Sequence, residues 1–269
     1  MPFRDNSALI TTAATVNVDA NNQADVYTQA ADGATAFVIA NGNVGDDTFL
    51  GFGTDDSIMT GRAIFDGNGD GFIAFGPNGV LDVDRTRGGE SQAARGPDQL
   101  LFRGTDDSQI TEIRFLGEKG GNFVYADSST LRNLYDEFGQ ANVLEGDVSD
   151  DTFDVGNGSF VILHDNGLGL NLGGDTINGF GDDDLFVTTA QLFDSEGDDD
   201  VEFYTNDVLD VSGADGADSS DPSTGPGGQI DLNDPDQVSL EYLGSNVLDG
   251  VTYYYYGTAG STFDPGASE

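Results

Sequence analysis

Cysteine and tryptophan are absent from this 269-residue chain, histidine occurs once, and lysine and arginine together number nine. Without cysteine there is no disulfide framework and no thiolate metal site. Stability must then come from the core, from bound ions or from assembly. With His164 as the single histidine, serine–histidine catalysis and a histidine zinc site would both rest on that residue, and its place at the end of the apolar run FVILHDNG reads as structural. Carboxylate pairs of the kind that hydrolyse glycosides arise by default among 49 acids. No catalytic residue is assigned, and the chain is not read as an enzyme. The shortage of cations, for a net charge of −40, excludes nucleic acid and anionic membrane surfaces as partners, since both require a basic face. No apolar run approaches the ~20 residues of a membrane span, so membrane insertion is not expected. The opening MPFRDNSALITTAATVNVD lacks a basic region followed by an apolar one, which points to export without a removable N-terminal signal.

Glutamate is also scarce, at nine of the 49 acids; the remainder are aspartate, and glycine reaches 39. Asp and Gly favour turns over helices and strands. The chain is 37% hydrophobic with 18 Phe, enough to bury a core at this length. The composition therefore predicts an all-β protein, a β-sandwich or short β-roll, with many acid-lined loops. Bound divalent cations or high external salt could balance the charge. Aspartate placed in a repeated pattern favours cations.

The chain is written twice. DTFLGFGTDDSIMTGRAIFDGNGDGFIAFGPNGVLDV (47–83) aligns without gaps on DTINGFGDDDLFVTTAQLFDSEGDDDVEFYTNDVLDV (175–211), with 18 of 37 positions identical at an offset of 128. This predicts two tandem homologous β domains, 1–130 and 131–269. The junction carries TLRNLYDEFG, the best amphipathic helix in the chain. Strands are expected at Ala13–Val18, Thr35–Ala40, Phe72–Phe75, Gln109–Leu116, Phe160–His164, Val238–Leu243 and Val251–Gly257. Short helical turns are expected at Ser57–Phe65 and Leu185–Phe193. All nine basic residues lie at or before Arg132. Arg85, Arg87, Arg95 and Arg103 of one copy could therefore face the acidic second half of another.

Two patterns carry chemistry. Asp66-Gly-Asn68-Gly-Asp70-Gly71 matches the opening of an EF-hand-type calcium loop, in which alternate side-chain oxygens point inward and the carbonyl at position 7, here Phe72, adds a ligand. Position 12 is Pro77 instead of the bidentate Glu, so a distant carboxylate must close the site. Asp82 is favoured over Asp84 because Asp210 repeats it. The second copy offers Asp194, Glu196, Asp198 and Asp200. It puts Asp199 where the first has the turn glycine, which predicts a different and weaker loop. Upstream, Gly42–Leu50 fits the nonapeptide G-G-x-G-x-D-x-U-x apart from Asn43. Its Asp binds Ca²⁺, and its large apolar residue fills a β-roll core. Asp47, Asp56, Asp175 and Asp184 occupy the Asp position.

At GDDTFLGFGTDDSI and GGDTINGFGDDDLF the chain resembles the RTX (hemolysin-type) calcium-binding secreted proteins of bacteria. The resemblance implies Ca²⁺ as cofactor, calcium-dependent folding outside the cell or at its surface, and type I secretion. Together these features predict a secreted structural protein that assembles with copies of itself, head to tail, into a filament, surface layer or matrix. The alternative is a calcium-dependent adhesin or carbohydrate-binding protein whose partner is a cell-surface polysaccharide.

Overall fold

The structure, a computed structural model, describes residues 9–31, 33–83, 98–194, 196–203, 208–211, 228–234 and 237–266. It is an all-β protein whose chain divides into two compact units, Met1–Ser129 and Thr130–Glu269.

In the first unit the strands are β1 (Ala14–Val18), β2 (Val26–Thr28), β3 (Thr35–Ile39), β4 (Thr48–Leu50), β5 (Ser57–Thr60), β6 (Phe72–Ala74), β7 (Leu81–Asp82), β8 (Gln99–Arg103), β9 (Glu112–Lys119) and β10 (Asn122–Asp127). They form a six-stranded sheet, β1-β3-β5-β10-β9-β6, and a four-stranded sheet, β2-β4-β8-β7. The chain alternates between the two sheets from β1 to β5, and each return lays a strand parallel on its predecessor. That is solenoid stacking. Ala36 of β3 pairs with Ser57 of β5 and Val26 of β2 with Thr48 of β4, so one coil takes 21 or 22 residues. Antiparallel β10, β9 and β6 complete the larger sheet.

The second unit begins with α1 (Ser129–Phe138) at its boundary. It continues through β11 (Val143–Glu145), β12 (Thr152–Asp154), β13 (Val161–His164), β14 (Gly174–Asn178), β15 (Leu185–Thr188), β16 (Asp200–Glu202), β17 (Val208–Asp210), β18 (Gln229–Asp231), β19 (Ser239–Leu248) and β20 (Val251–Gly257). Its sheets run β11-β13-β15-β20-β19-β16 and β12-β14-β18-β17, the order of the first unit strand for strand. Here the coil is 24 residues from β12 to β14 and from β13 to β15 (Thr152↔Thr176, Val161↔Leu185) and 18 from β11 to β13 (Val143↔Val161).

Each core lies between its two sheets. Phe37 and Ile58 from the large sheet of unit 1 meet Phe49 and Phe102 from the small one, with Phe49 stacked on Phe102 at 4.4 Å between centroids. In unit 2, Ile162, Phe186 and Tyr256 meet Ile177 and Ile230. The large sheet of unit 2 is also covered on its other face. Leu131 and Leu134 of α1 are buried, Tyr253 donates its hydroxyl to the Thr130 carbonyl, and Phe138 packs on Tyr255. The four tyrosines 253–256 thus serve both faces of one strand.

The expected helical turns at Ser57–Phe65 and Leu185–Phe193 are corrected. Their first four residues are the strands β5 and β15, each buried at every position. A parallel strand covered on both faces loses the two-residue alternation that identifies half-buried strands, so periodicity misassigned it. The strand expected at Gln109 begins instead at Glu112 and runs on to Lys119.

Candidate functional site

The acidic residues gather at the bends between sheets, where the chain turns sharply and backbone N–H groups lose their ladder partners. At Gly45 (φ 95°) an added Cβ would lie 1.9 Å from the Gln23 carbonyl oxygen, and at Gly173 (φ 96°) 1.9 Å from that of Ser149. Only glycine fits where one coil presses so closely on the last.

Asp47 and Asp175 follow these glycines by two residues, and all four nonapeptide aspartates are buried: Asp47 at 1% exposure, Asp56 at 0%, Asp175 at 3% and Asp184 at 1%. Each accepts from the backbone of an earlier coil. Asp47 Oδ1 takes Asp25 N at 2.8 Å, and Asp175 Oδ1 takes Asp151 N at 3.0 Å. Asp56 takes Thr35 N and Gly53 N, and Asp184 takes Phe160 N and Gly181 N. These carboxylates therefore tie adjacent coils together through hydrogen bonds. Two residues absent from the sequence-based set also accept bend N–H groups. Asp98 ties segments more than 50 residues apart by accepting from Val44 N and Gly45 N, and Asp151 accepts locally from Asp147 N. The tetrapeptide DDTF at 46–49 recurs at 150–153, a signal that would have found Asp151.

Burial raises the pKa of all four nonapeptide aspartates, to about 7 at Asp56 and Asp175. Desolvation is the largest cause in each, opposed by the backbone N–H groups and reinforced by neighbouring carboxylates. The Oδ2 of Asp47 is buried without a hydrogen-bond partner, amid the charges of Asp25, Asp46 and Asp98. Oδ2 of Asp175 and Oδ2 of Asp151 converge on Gly146, whose absent Cβ would lie 2.8 and 3.2 Å from them.

The two DxNxDG-like loops fold alike. Asp66 accepts from the N–H groups of Asn68, Gly69 and Gly71, and Asp194 from those of Glu196, Gly197 and Asp199. Asp70 accepts from Phe72 N and Asp198 from Asp200 N. The expectation that losing the turn glycine alters the second loop is corrected: Asp199 adopts φ 70° where Gly71 has 82°. Aspartate is among the few side chains that visit this region. Each loop is anchored at its start by a tyrosine that sequence reading passed over. Tyr125 Oη accepts from Ile64 N and Tyr256 Oη from Leu192 N, both at 2.8 Å. The Gly71 and Asp199 carbonyls accept from Phe115 N and Tyr242 N on the neighbouring strand. Ladder groups alternate in direction along β6, so the Phe72 carbonyl points away from β9.

Asp82 lies in β7, paired with Gln99 in the small sheet, and lines a small cavity with Phe65 and Ile73. Asp210 ends β17. Asp84, Arg85, Arg87 and Arg95 lie outside the described residues. Among the described residues no group of three or more His, Cys, Asp or Glu side chains is placed to hold one metal ion, and no helix is long and apolar enough to cross a membrane. No family model, curated protein or solved structure matches the chain.

His164 ends β13 with its Nε2 buried and without a hydrogen bond, and burial lowers its pKa to about 4. It is neutral in the fold. This fixes a pH dependence in the absence of divalent ions. A raised aspartate pKa stabilises the fold below the unfolded value near 4, and that stability is lost as pH rises toward 7. The lowered His164 pKa acts oppositely: its stability is present above ~6.5 and lost as pH falls toward 4. In chelator, the melting temperature is expected to climb by several degrees from pH 8 to pH 6 and to level or fall below pH 5. Calorimetry across that range checks it, and a monotonic fall from pH 8 would contradict the aspartate contribution.

Proposed function

We propose that this is a calcium-binding structural protein that works outside the cell, built from two tandem homologous β-roll domains and assembling with copies of itself. The observation that carries the reading is Asp47: a fully buried carboxylate with one oxygen unpartnered and three further aspartates as its nearest charges. An arrangement of that kind is costly unless a cation joins it.

The donors suit calcium in kind, being hard oxygens from carboxylates and bend carbonyls. At the bends, the pairs Asp47 with Asp25, and Asp175 with Asp151, would hold it. In the loops, Asp66, Asp70 and the Phe72 carbonyl would do so, and likewise Asp194, Asp198 and the Asp200 carbonyl. Carboxylate pairs supply only part of the six to eight oxygens calcium takes, so carbonyls and water would complete each shell. Bound calcium would offset the charge of −40 and confine full folding to calcium-rich surroundings. The resemblance to RTX proteins supports export by a type I route.

Assembly is tested by sedimentation velocity and electron microscopy of the full chain in millimolar calcium and in chelator. Calcium-dependent polymers are expected. A monomer under both conditions would overturn the assembly and leave an adhesin or carbohydrate-binding role.

A further inference from the structure

The two units share one strand order, so each serves as a control for what the fold itself requires of the other. Register matches Val26–Thr48–Leu101 on the small sheet of unit 1 to Thr152–Thr176–Asp231 in unit 2. It likewise matches Leu50, in the next row, to Asn178. These side chains lie on the face opposite the core residues Phe49, Phe102, Ile177 and Ile230. Unit 2 forms the same sheet with Thr, Asn and Asp at positions where unit 1 carries Val and Leu. The fold therefore does not demand the apolar residues, yet Val26 is 64% exposed and Leu50 36%.

The edge beside them is open. β2 ends the sheet order, and among the described residues no strand pairs with its outer side. The Asp25 carbonyl and the Gln29 N–H are bonded to β4. Alternation then directs the N–H and C=O of Val26 and Thr28 outward. All four edge strands of unit 2 (β11, β12, β16 and β17) contain a carboxylate residue, the usual protection of an edge. β2, Val-Tyr-Thr, has none.

We propose that β2 is a self-association edge, pairing antiparallel with β2 of a second copy across a two-fold axis at Tyr27; this rests on the assembly reading above. The occupant follows from charge and geometry. In a chain of net charge −40, copies approach at least cost where the paired residues carry no carboxylate, and the three residues of β2 offer that to another β2, with Asp25 just outside the paired segment. The two-fold puts Val26 opposite Thr28 of the partner copy. Each outward N–H then meets an outward C=O, and the small sheet continues through the contact with the Val26 and Leu50 side chains on one face. A contact of this kind is closed. It makes a dimer, which the head-to-tail contact expected from the charge distribution would link into longer assemblies.

The test is V26T/L50N, which gives unit 1 the residues unit 2 carries at the same places, with V26K as a second variant at a largely exposed position. Sedimentation velocity of each full chain at tens of micromolar in millimolar calcium is compared with wild type, and circular dichroism verifies folding. A dimer-containing wild type with both variants shifted to smaller species and unchanged spectra is the expected result. Wild type and V26K associating equally would overturn the β2 edge while leaving assembly through another surface. A wild type that stays monomeric would overturn both.

Discussion

Excess chelator is expected to lower the melting temperature of the calcium-loaded protein by at least ~10 °C, with loss of near-ultraviolet circular dichroism. Each ion held at a hundredfold excess over its Kd stabilises the fold by about 2.7 kcal/mol. In a unit of this size 1 kcal/mol corresponds to about 4 °C, so a single ion per unit already reaches the effect. Removal also restores repulsion among carboxylates that burial has stripped of water, such as Asp47 beside Asp25 and Asp98. Magnesium should restore little, because its smaller, near-octahedral shell does not suit bends whose donors are pairs of carboxylates and scattered carbonyls. Differential scanning calorimetry in calcium, magnesium and chelator measures all three. An unchanged melting temperature in chelator would remove calcium from the picture.

The second large effect separates the two roles of the bend aspartates. Asp56→Ala is expected to destabilise unit 1, and Asp184→Ala unit 2, by about 1–3 kcal/mol each, in chelator as well as in calcium. Each substitution leaves two backbone N–H groups without an acceptor: buried Thr35 and half-buried Gly53 in one case, half-buried Phe160 and Gly181 in the other. A buried unsatisfied donor costs about 1–3 kcal/mol. Asp66→Ala also removes three acceptor bonds, but two of them are to exposed N–H groups that water can satisfy. Its cost without calcium should be below about 1 kcal/mol, growing when calcium is present. Chemical denaturation of the three variants under both conditions gives the comparison. If Asp56→Ala cost nothing in chelator, its hydrogen bonds to the earlier coil would have no energetic weight.

Much of this was legible in the sequence because it was repeated there. The repeat at 47–83 and 175–211 covers β4 to β7 and β14 to β17, and the amphipathic TLRNLYDEFG lies within or directly after α1. What stayed hidden depends on contacts between coils. Strands of three residues such as β2, β12 and β18 are too short to show a period. β5 and β15 are buried on both faces and show none. The bend aspartates have the residue type and spacing of metal ligands, yet their first partners are N–H groups some 20 residues earlier. Only stacking brings these together. Asp199 shows the converse: a missing glycine reads as a broken loop, but aspartate tolerates the left-handed backbone and the same hydrogen bonds form. The Tyr125 and Tyr256 anchors join residues more than 60 positions apart, and no local pattern marks them.

Calcium titration of the metal-free full chain, followed by circular dichroism and light scattering together, tests calcium-dependent folding and assembly most directly. The expected result is a saturable gain of β signal at micromolar to millimolar calcium, with a rise in scattering that begins as the spectrum reaches its plateau and reverses in chelator. A spectrum and scattering unchanged by calcium, in a protein already folded and monomeric without it, would contradict the proposal.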